Sequence, residues 1–402
     1  MQRYDTYKDS GVKWLGEIPS HWEVKRFKHF GTFSKGKLPK NTNLDGIGFP
    51  IIGASEMKGK EPSVFTEDIN VPHCLPYEIL ILWDGANAGL VANNKKGVVA
   101  STAVKYTCID DSINDRYLFY LVKNYQRYYK DKVSGTTIPH MNIAFINDTP
   151  LLVPKYAEQT AIANYLDAAT AKIDAAIAQQ QKMIDLLNER KQIIINRAVT
   201  KGLNPNAKMK DSGVEWIGEV PEHWDVMRMR YLCSITTGNK DTINRIDDGL
   251  YPFYVRSPKV ERINTYSYDG EAVLMAGDGV GAGKVFHYVN GKFDYHQRVY
   301  NFYNIKKIKA KLLYYYMKSH FRYVIEQLSA KSTVDSVRLN MIQDFLVVIP
   351  PMQEQLDLIE YFDSQMKNLD DSISMFENQI SLLQERKQII INEVVTGKVK
   401  VV

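Results

Sequence analysis

The sequence predicts an α+β chain built twice over: two like modules of β-type runs and helices, organised by a pair of long helices. Three observations carry this. The octapeptide ERKQIIIN stands at 189–196 and returns unchanged at 385–392. A lead-in, DSGVKWLGEIPSHW at 9–22, returns as DSGVEWIGEVPEHW at 211–224, with ten of fourteen positions identical. Each octapeptide also closes a long segment whose apolar residues recur mostly in steps of three and four, the pattern of a helix packed lengthwise on a partner.

The lead-ins come first in each module. Gly11/Gly213 and Pro19/Pro221 interrupt any continuous helix, so each lead-in is a looped segment pinned by Trp14/Trp216 and Trp22/Trp224. His21 and His223 have no second His, Cys or carboxylate at ligand spacing and are expected to be structural.

A body of roughly 120–130 residues follows in each half. Its β-type runs, among them Ile79–Trp83, Val98–Tyr106, Ala272–Met275 and Val285–Val289, are broken by Gly and Asn turns. A Tyr-rich helical stretch occupies 116–129 in the first body and 311–324 in the second. Tyrosines at three- and four-residue spacing are expected to be core rather than platforms for nucleobases. Each body closes through a polar loop, GTTIPHMN at 135–142 or KSTVDSVRLN at 331–340. A hydrophobic strand then reaches Pro154 or Pro350.

The long helices open with Glu158-Gln159 and Glu354-Gln355; a glutamate in the first turn suits the positive end of the helix dipole. The first helix shows Ile162, Leu166, Ala169, Ile173, Ile177, Ile184, Leu187, Ile194 and Ala198 in register. The second shows Leu358, Phe362, Leu369, Ile373, Phe376, Ile380, Leu383, Ile390 and Val394. A step of 196 carries Ile173 to Leu369 and Ile184 to Ile380. At about 1.5 Å per residue, each helix spans roughly 65–70 Å. The expected boundaries are 1–154 for the first lead-in and body, 155–205 for the central helix, 206–350 for the second lead-in and body, and 351–402 for the distal helix.

Composition narrows the function classes. With 402 residues, 45% hydrophobic and 24% charged, the chain reads as an ordinary soluble protein of two or three domains. No run of 18 apolar residues occurs and Met1–Ser10 is polar, so neither a membrane span nor a secretion signal is expected. Cys74, Cys108 and Cys233 are odd in number and far apart, which argues against disulfides or a zinc site and suits a reducing cytosol. The net charge of +5 is unevenly spread. The body 225–345 holds eighteen Lys/Arg against twelve Asp/Glu, while the helix 352–396 holds three against nine. Basic bodies on neutral or acidic helices suggest a polyanion for the bodies and a protein partner for the helices.

Local catalytic motifs fail when tested. GDGVGAGK at 277–284 resembles a phosphate loop, yet Asp278 stands where that loop needs Gly and Val285 where it needs Ser or Thr. The residues after it alternate like a strand, so this string and Asp84–Gly89 read as glycine turns between strands. Ile349-Pro350-Pro351-Met352 lacks the polar and aromatic ends of an amino-methyltransferase tetrad. Glu189-Arg190-Lys191 and Glu385-Arg386-Lys387 lack the preceding Pro-Asp of a metal nuclease. No catalytic site and no metal site is expected.

The doubled lead-in, the GTTIPHMN loop, the Pro154…Glu158-Gln159 and Pro350…Glu354-Gln355 entries, and the helices ending in ERKQIIIN occur in one order, twice. In that order they resemble the specificity (S) subunit family of Type I restriction–modification systems, the HsdS family. The resemblance implies two α/β target recognition domains in a pseudo-twofold repeat, separated by two long antiparallel helices forming a coiled coil. It implies a cytoplasmic, non-catalytic protein that binds double-stranded DNA at a split, asymmetric site. The implied partners are two methyltransferase (M) subunits and, through them, restriction (R) subunits. No cofactor is expected on this chain; S-adenosylmethionine, ATP and Mg²⁺ are expected on the partners. The second polar loop departs from the Gly-Thr-Thr-Ile-Pro-His form.

Loop residues at matching places are then the candidate DNA contacts. In the first body they are Lys35, Lys37, Lys40, Asn87, Thr136, Thr137, His140 and Asn142. In the second they are Asn239, Lys240, Arg245, Lys284, Arg298, Arg338 and Asn340. Each is otherwise a solvated surface residue. A coiled-coil scaffold that binds only proteins is the alternative; it explains the helices but not two basic, divergent bodies. An enzyme with its active site split across the repeats would be active without partners.

Overall fold

The computed structural model describes residues 2–132, 140–329 and 336–401. The chain divides into two units, Met1–Gln180 with Asn378–Val402, and Gln181–Glu377. Both boundaries fall inside the long helices, Tyr156–Lys201 and Met352–Val395. Each unit therefore owns the opening turns of one helix and the closing turns of the other.

In the first unit the lead-in is a ribbon, Tyr7–Asp9 antiparallel to Glu17–Pro19, with Lys8 opposite Ile18. Gly11 and Gly16 turn it at φ of 71° and 69°, where a side chain would be strained. Trp22 is fully buried, and its indole N–H donates to Glu158 Oε1 at 3.1 Å. Tyr4 Oη donates to the same oxygen at 2.6 Å, and His21 Nε2 lies 2.9 Å from Oε2. One carboxylate at the start of the helix thus gathers two side chains of the lead-in and Tyr4 ahead of it. The second unit repeats the lock: Trp224 Nε1 donates to Glu354 at 3.0 Å and His223 sits 2.6 Å from it. Both histidines are structural, as the sequence suggests.

The neighbouring glutamines are buried and saturated. Gln159 accepts from the Asn114 N–H at 2.8 Å and donates to the Ser112 and Pro154 carbonyls. Gln355 accepts from Lys309 N at 2.7 Å and donates to the carbonyls of Lys307 and Pro350. A buried amide with every partner supplied fixes one docking of helix on body.

The first body contains two four-stranded sheets. One runs Gly31–Lys35, Ala103–Cys108, Ile79–Leu82, Val91–Ala92; the other runs Phe65–Thr66, Phe49–Ile52, Gly97–Val99, His73–Cys74. The expected single run Val98–Tyr106 is two strands in different sheets. The Ala100 N–H donates to Ile52 O in the one sheet and the Ala103 N–H to Ala100 O at the corner, while the Thr102 carbonyl accepts from Trp83 N and Asp84 N in the other. The Tyr-rich stretch is likewise two helices, Asp115–Asn124 and Gln126–Asp131. The Tyr125 N–H is shared between the Leu121 and Val122 carbonyls, a tightened turn that breaks the helix. Tyr117, Tyr120, Tyr125 and Tyr129 are all buried, so this face is core.

The second body has one six-stranded sheet, in the order Ser234–Thr237, Val299–Tyr303, Tyr268–Ala276, Phe286–Tyr295, Tyr251–Tyr254, Glu261–Ile263. Gly277–Val285 joins two of its antiparallel strands, a glycine turn as expected. The helix Ala310–Ser329 packs on this sheet and buries Leu313, Tyr316 and Met317. Cys74 is buried and Cys108 and Cys233 are half-buried, all three as free thiols. Burial pushes the Cys74 thiol up to about 11 and Cys233 to about 12.

Within each unit the two helix segments run antiparallel. In the first, Lys400 lies over the ring of Tyr4, itself bonded to Glu158, while Lys387 Nζ meets Asp174 at 2.6 Å. In the second, Gly202 approaches Glu354 while Lys191 pairs with Asp370. The closing turns complete the cores: Ile391, Val394 and Val395 pack with Trp22 and Leu166, and Ile195, Ala198 and Val199 with Trp224 and Phe362. Ile194 and Ile390, named from periodicity, are only half-buried, and their neighbours Ile195 and Ile391 take the deep positions. The closing turns bury a face toward the lead-in core as well as the helix seam, which rotates the buried stripe.

Candidate nucleic-acid interface

The two bodies superpose in connectivity at one place. The strand Ile79–Leu82 lies between Ala103–Cys108 and Val91–Ala92, as Tyr268–Ala276 lies between Val299–Tyr303 and Phe286–Tyr295. Just past each strand stands an aspartate, Asp84 or Asp278, opening a glycine turn. Both are bridged to the segment that follows the Tyr-rich helix, Asp84 to His140 and Asp278 to Ser336. The Met141 N–H donates to Trp83 O at 3.0 Å, and the Val337 N–H to Gly277 O at 2.7 Å. Backbone pairing thus brings the glycine turn and the returning segment together in each unit.

Around Asp84 the sequence candidates Lys35 and His140 converge. His140 Nδ1 is 2.6 Å from Asp84 Oδ1, and Lys35 Nζ is 3.9 Å from Oδ2. Lys35 also lies over the Trp83 ring at 5.3 Å. Around Asp278 the pattern returns with arginines: Arg256 Nη1 at 3.2 Å from Oδ1 and Arg298 Nη1 at 3.3 Å from Oδ2. The carboxylates are sheltered, with side chains 21% and 18% exposed, while Lys35 and Arg298 remain 54% and 61% exposed. The cations therefore keep donors free for a ligand.

The other candidates sit on the surrounding loops. Gly36 and Gly238 press against backbone: a Cβ would lie 2.1 Å from Ala100 O or 1.9 Å from Tyr295 O, so neither position accepts a side chain. Lys37 and Asn239, one residue on, are exposed. Lys240 is half-buried, with its carbonyl accepting from the Gln297 N–H at 2.8 Å. The adjacent Asp241 carboxyl is held below the usual range; burial opposes this, but Gln297 and the Thr242 and Ile243 N–H groups outweigh it. Burial pushes the nearby His296 down. Lys40 is exposed and stands apart, its N–H donating to Asp68, whose carboxyl that bond and one from Asn70 hold low. Arg245 also stands apart, near Asp247 at 3.4 Å and Glu261 at 3.8 Å.

Asn142 caps the short helix Ile143–Asn147, its Oδ1 accepting from the Ala144 N–H. Arg338 occupies the same place before Leu339–Asp344, with Asn340 exposed in the first turn. Asn87 is half-buried in its turn and Lys284 is exposed. Thr136 and Thr137 lie outside the described residues. The structure adds Asp84, Asp278, Arg256 and Trp83, none of them among the loop candidates of the sequence. The signal for the two aspartates in the sequence is the matched Asp-Gly pair that opens both glycine turns, Asp84-Gly85 and Asp278-Gly279. Among the described residues no group of three His, Cys, Asp or Glu is placed to hold a metal ion. No helix among them is long and apolar enough to cross a membrane.

Comparison with known proteins agrees with this repeat. The model of the Type I restriction modification DNA specificity domain matches twice, at 19–184 and 221–385. The chain is 26% identical to the MjaVIII specificity subunit of Methanocaldococcus jannaschii, over 98% of this chain and 97% of that one. It is 28% identical to the EcoDI specificity subunit of Escherichia coli, over 45% of this chain and 40% of that one. A solved chain from work on complex assembly and conformational transition of the type I R-M system shares the fold. Its TM-score is 0.64 and its identity 14%, covering 94% of this chain and 98% of that one. With two domain matches spanning most of its length and a repeat visible in both sequence and structure, the chain belongs to the family of Type I restriction–modification specificity subunits.

Proposed function

We propose that this chain reads a split, asymmetric double-stranded DNA target, one half-site per unit, and carries no catalysis of its own. The observation that carries the reading is the doubled cluster on an aspartate: one scaffold position presents Lys35 and His140 in one unit and Arg256 and Arg298 in the other. Two like frames with unlike reading groups suit two unlike half-sites. Exposed Lys and Arg on the loops neutralise phosphates, giving affinity that falls with salt. Side chains that reach base edges in the major groove supply the sequence discrimination, because all four base pairs differ there.

The long helices serve as the spacer and as the docking face for two methyltransferase subunits, through which restriction subunits join. S-adenosylmethionine, ATP and Mg²⁺ belong to those partners. The half-site centres are expected roughly one helical turn apart, about 34 Å. The experiment is selection from a random duplex library by the chain assembled with its methyltransferase subunit. Two short, unlike half-sites at one fixed gap are expected. No enrichment over bulk DNA from an assembled complex would leave the protein-only scaffold, and a freely variable gap would remove the spacer role.

A further inference from the structure

We propose that Asp84 and Asp278 are the positioning residues of the two reading sites, each orienting a pair of hydrogen-bonding side chains that discriminate bases, Lys35 and His140 in one unit and Arg256 and Arg298 in the other. The inference rests on the DNA-reading function above.

Three features point to it. First, the aspartates occupy one topological position, after the central strand and bridged to the same returning segment. Second, each uses both oxygens on different partners. Asp84 takes His140 on Oδ1 and Lys35 on Oδ2; Asp278 takes Arg256 on Oδ1 and Arg298 on Oδ2. Third, the acid is the same in both copies while its partners differ in type and origin. Lys35 ends the strand Gly31–Lys35 and His140 follows the Tyr-rich helices; Arg256 follows Tyr251–Tyr254 and Arg298 precedes Val299–Tyr303.

Stabilisation alone explains this poorly, because ion pairs on half-exposed cations contribute little. Orientation explains it better. A free Lys or Arg side chain samples many rotamers, and freezing it on binding costs affinity and blurs geometry. A sheltered carboxylate that engages one nitrogen of each guanidinium leaves the remaining donors in a fixed fork, the form that pairs with guanine O6 and N7. The same carboxylate repels phosphate, so the held cations favour base edges over the backbone. Two arginines on Asp278 imply that the half-site of the second unit contains at least one G·C pair read by Arg256 or Arg298.

The test compares base preference, position by position, for the assembled complex carrying Asp278→Asn, Asp84→Asn, Arg298→Gln or Arg256→Gln. Asp278→Asn is expected to cut discrimination about ten-fold or more at one or two G·C positions of one half-site. The gap and the other half-site stay as in the wild type. Arg298→Gln or Arg256→Gln, at exposed side chains that leave the fold intact, relaxes the same positions, and pairing either with Asp278→Asn adds little. Asp84→Asn relaxes the opposite half-site.

Wild-type base preferences in both aspartate variants would overturn the proposal. So would an equal loss of affinity for target and bulk DNA, the mark of a merely structural acid. If the wild-type complex selects a split site and the variants select the same one, positioning alone fails. If the wild type selects nothing, the DNA-reading function fails with it.

Discussion

Glu158 shows how much a single carboxylate does at the base of each unit. Its side chain is 11% exposed and satisfies the buried Trp22 indole, the Tyr4 phenol and His21 together. Burial, reinforced by this carboxylate, pushes the Tyr4 phenol far up. Glu158→Ala strands a buried indole N–H and is expected to cost about 1–3 kcal/mol by denaturant unfolding. Glu158→Gln, which still accepts, should cost less. His320 is the residue-scale sensor of pH. It is buried beside Trp216 and Tyr316, and burial pushes its pKa down to about 4, with a backbone hydrogen bond to Tyr316 only partly opposing the shift. Between pH 4 and 6.5 the unfolded chain binds more protons than the folded one. The contribution of His320 is therefore fully present above about pH 6.5 and falls by about 2–3 kcal/mol as pH drops to about 4. Burial shifts His287 and His296 the same way, so wild-type melts contain all three contributions. His320→Phe should flatten the melting-temperature profile over that window relative to wild type. An unchanged slope would refute the assignment.

At the scale of elements, each long helix serves two cores. The last turns of Met352–Val395 finish the core that begins at the N-terminal lead-in, where the Tyr7 hydroxyl donates to Gly397 O at 3.0 Å. Ile391→Ala is expected to cost about 2–5 kcal/mol. In hydrogen exchange the loss should appear around Trp22 and Leu166, hundreds of residues away in sequence, while Trp224 and Phe302 keep their protection. Ile195→Ala should do the converse. The repeated pairs Lys387–Asp174 and Lys191–Asp370 are half-exposed, so removing either lysine should change stability by about 1 kcal/mol or less. The helix seam was legible because a period near 3.6 survives any context. The exact deep positions, Ile195 rather than Ile194, were not, because the lead-in core against the same turns rotates the buried face.

At the scale of the whole molecule, modularity has a direct consequence. Lead-in, Glu-Gln lock and closing octapeptide are common to both units, while the bodies differ in sheet number and in the cations their loops present. Replacing 225–345 with the body of another family member is expected to reassign one half-site and leave the other half-site and the gap unchanged, read by library selection. Reassignment of both would show that the units do not read independently.

The sequence by itself determined the two-module plan, the long helices, the buried tyrosines, the structural histidines and the glycine turns. These follow from local periodicity, turn chemistry and exact internal repetition, which need no knowledge of distant neighbours. Tertiary structure decided which loops meet. Lys35, Trp83, Asp84 and His140 come from three separate segments, and Asp278 gathers Arg256 and Arg298 from either side of it in the chain. Sheet pairing and the bridges Asp84–His140 and Asp278–Ser336 bring them together. No spacing along the chain encodes that convergence, because strand order and loop return are set by long-range packing.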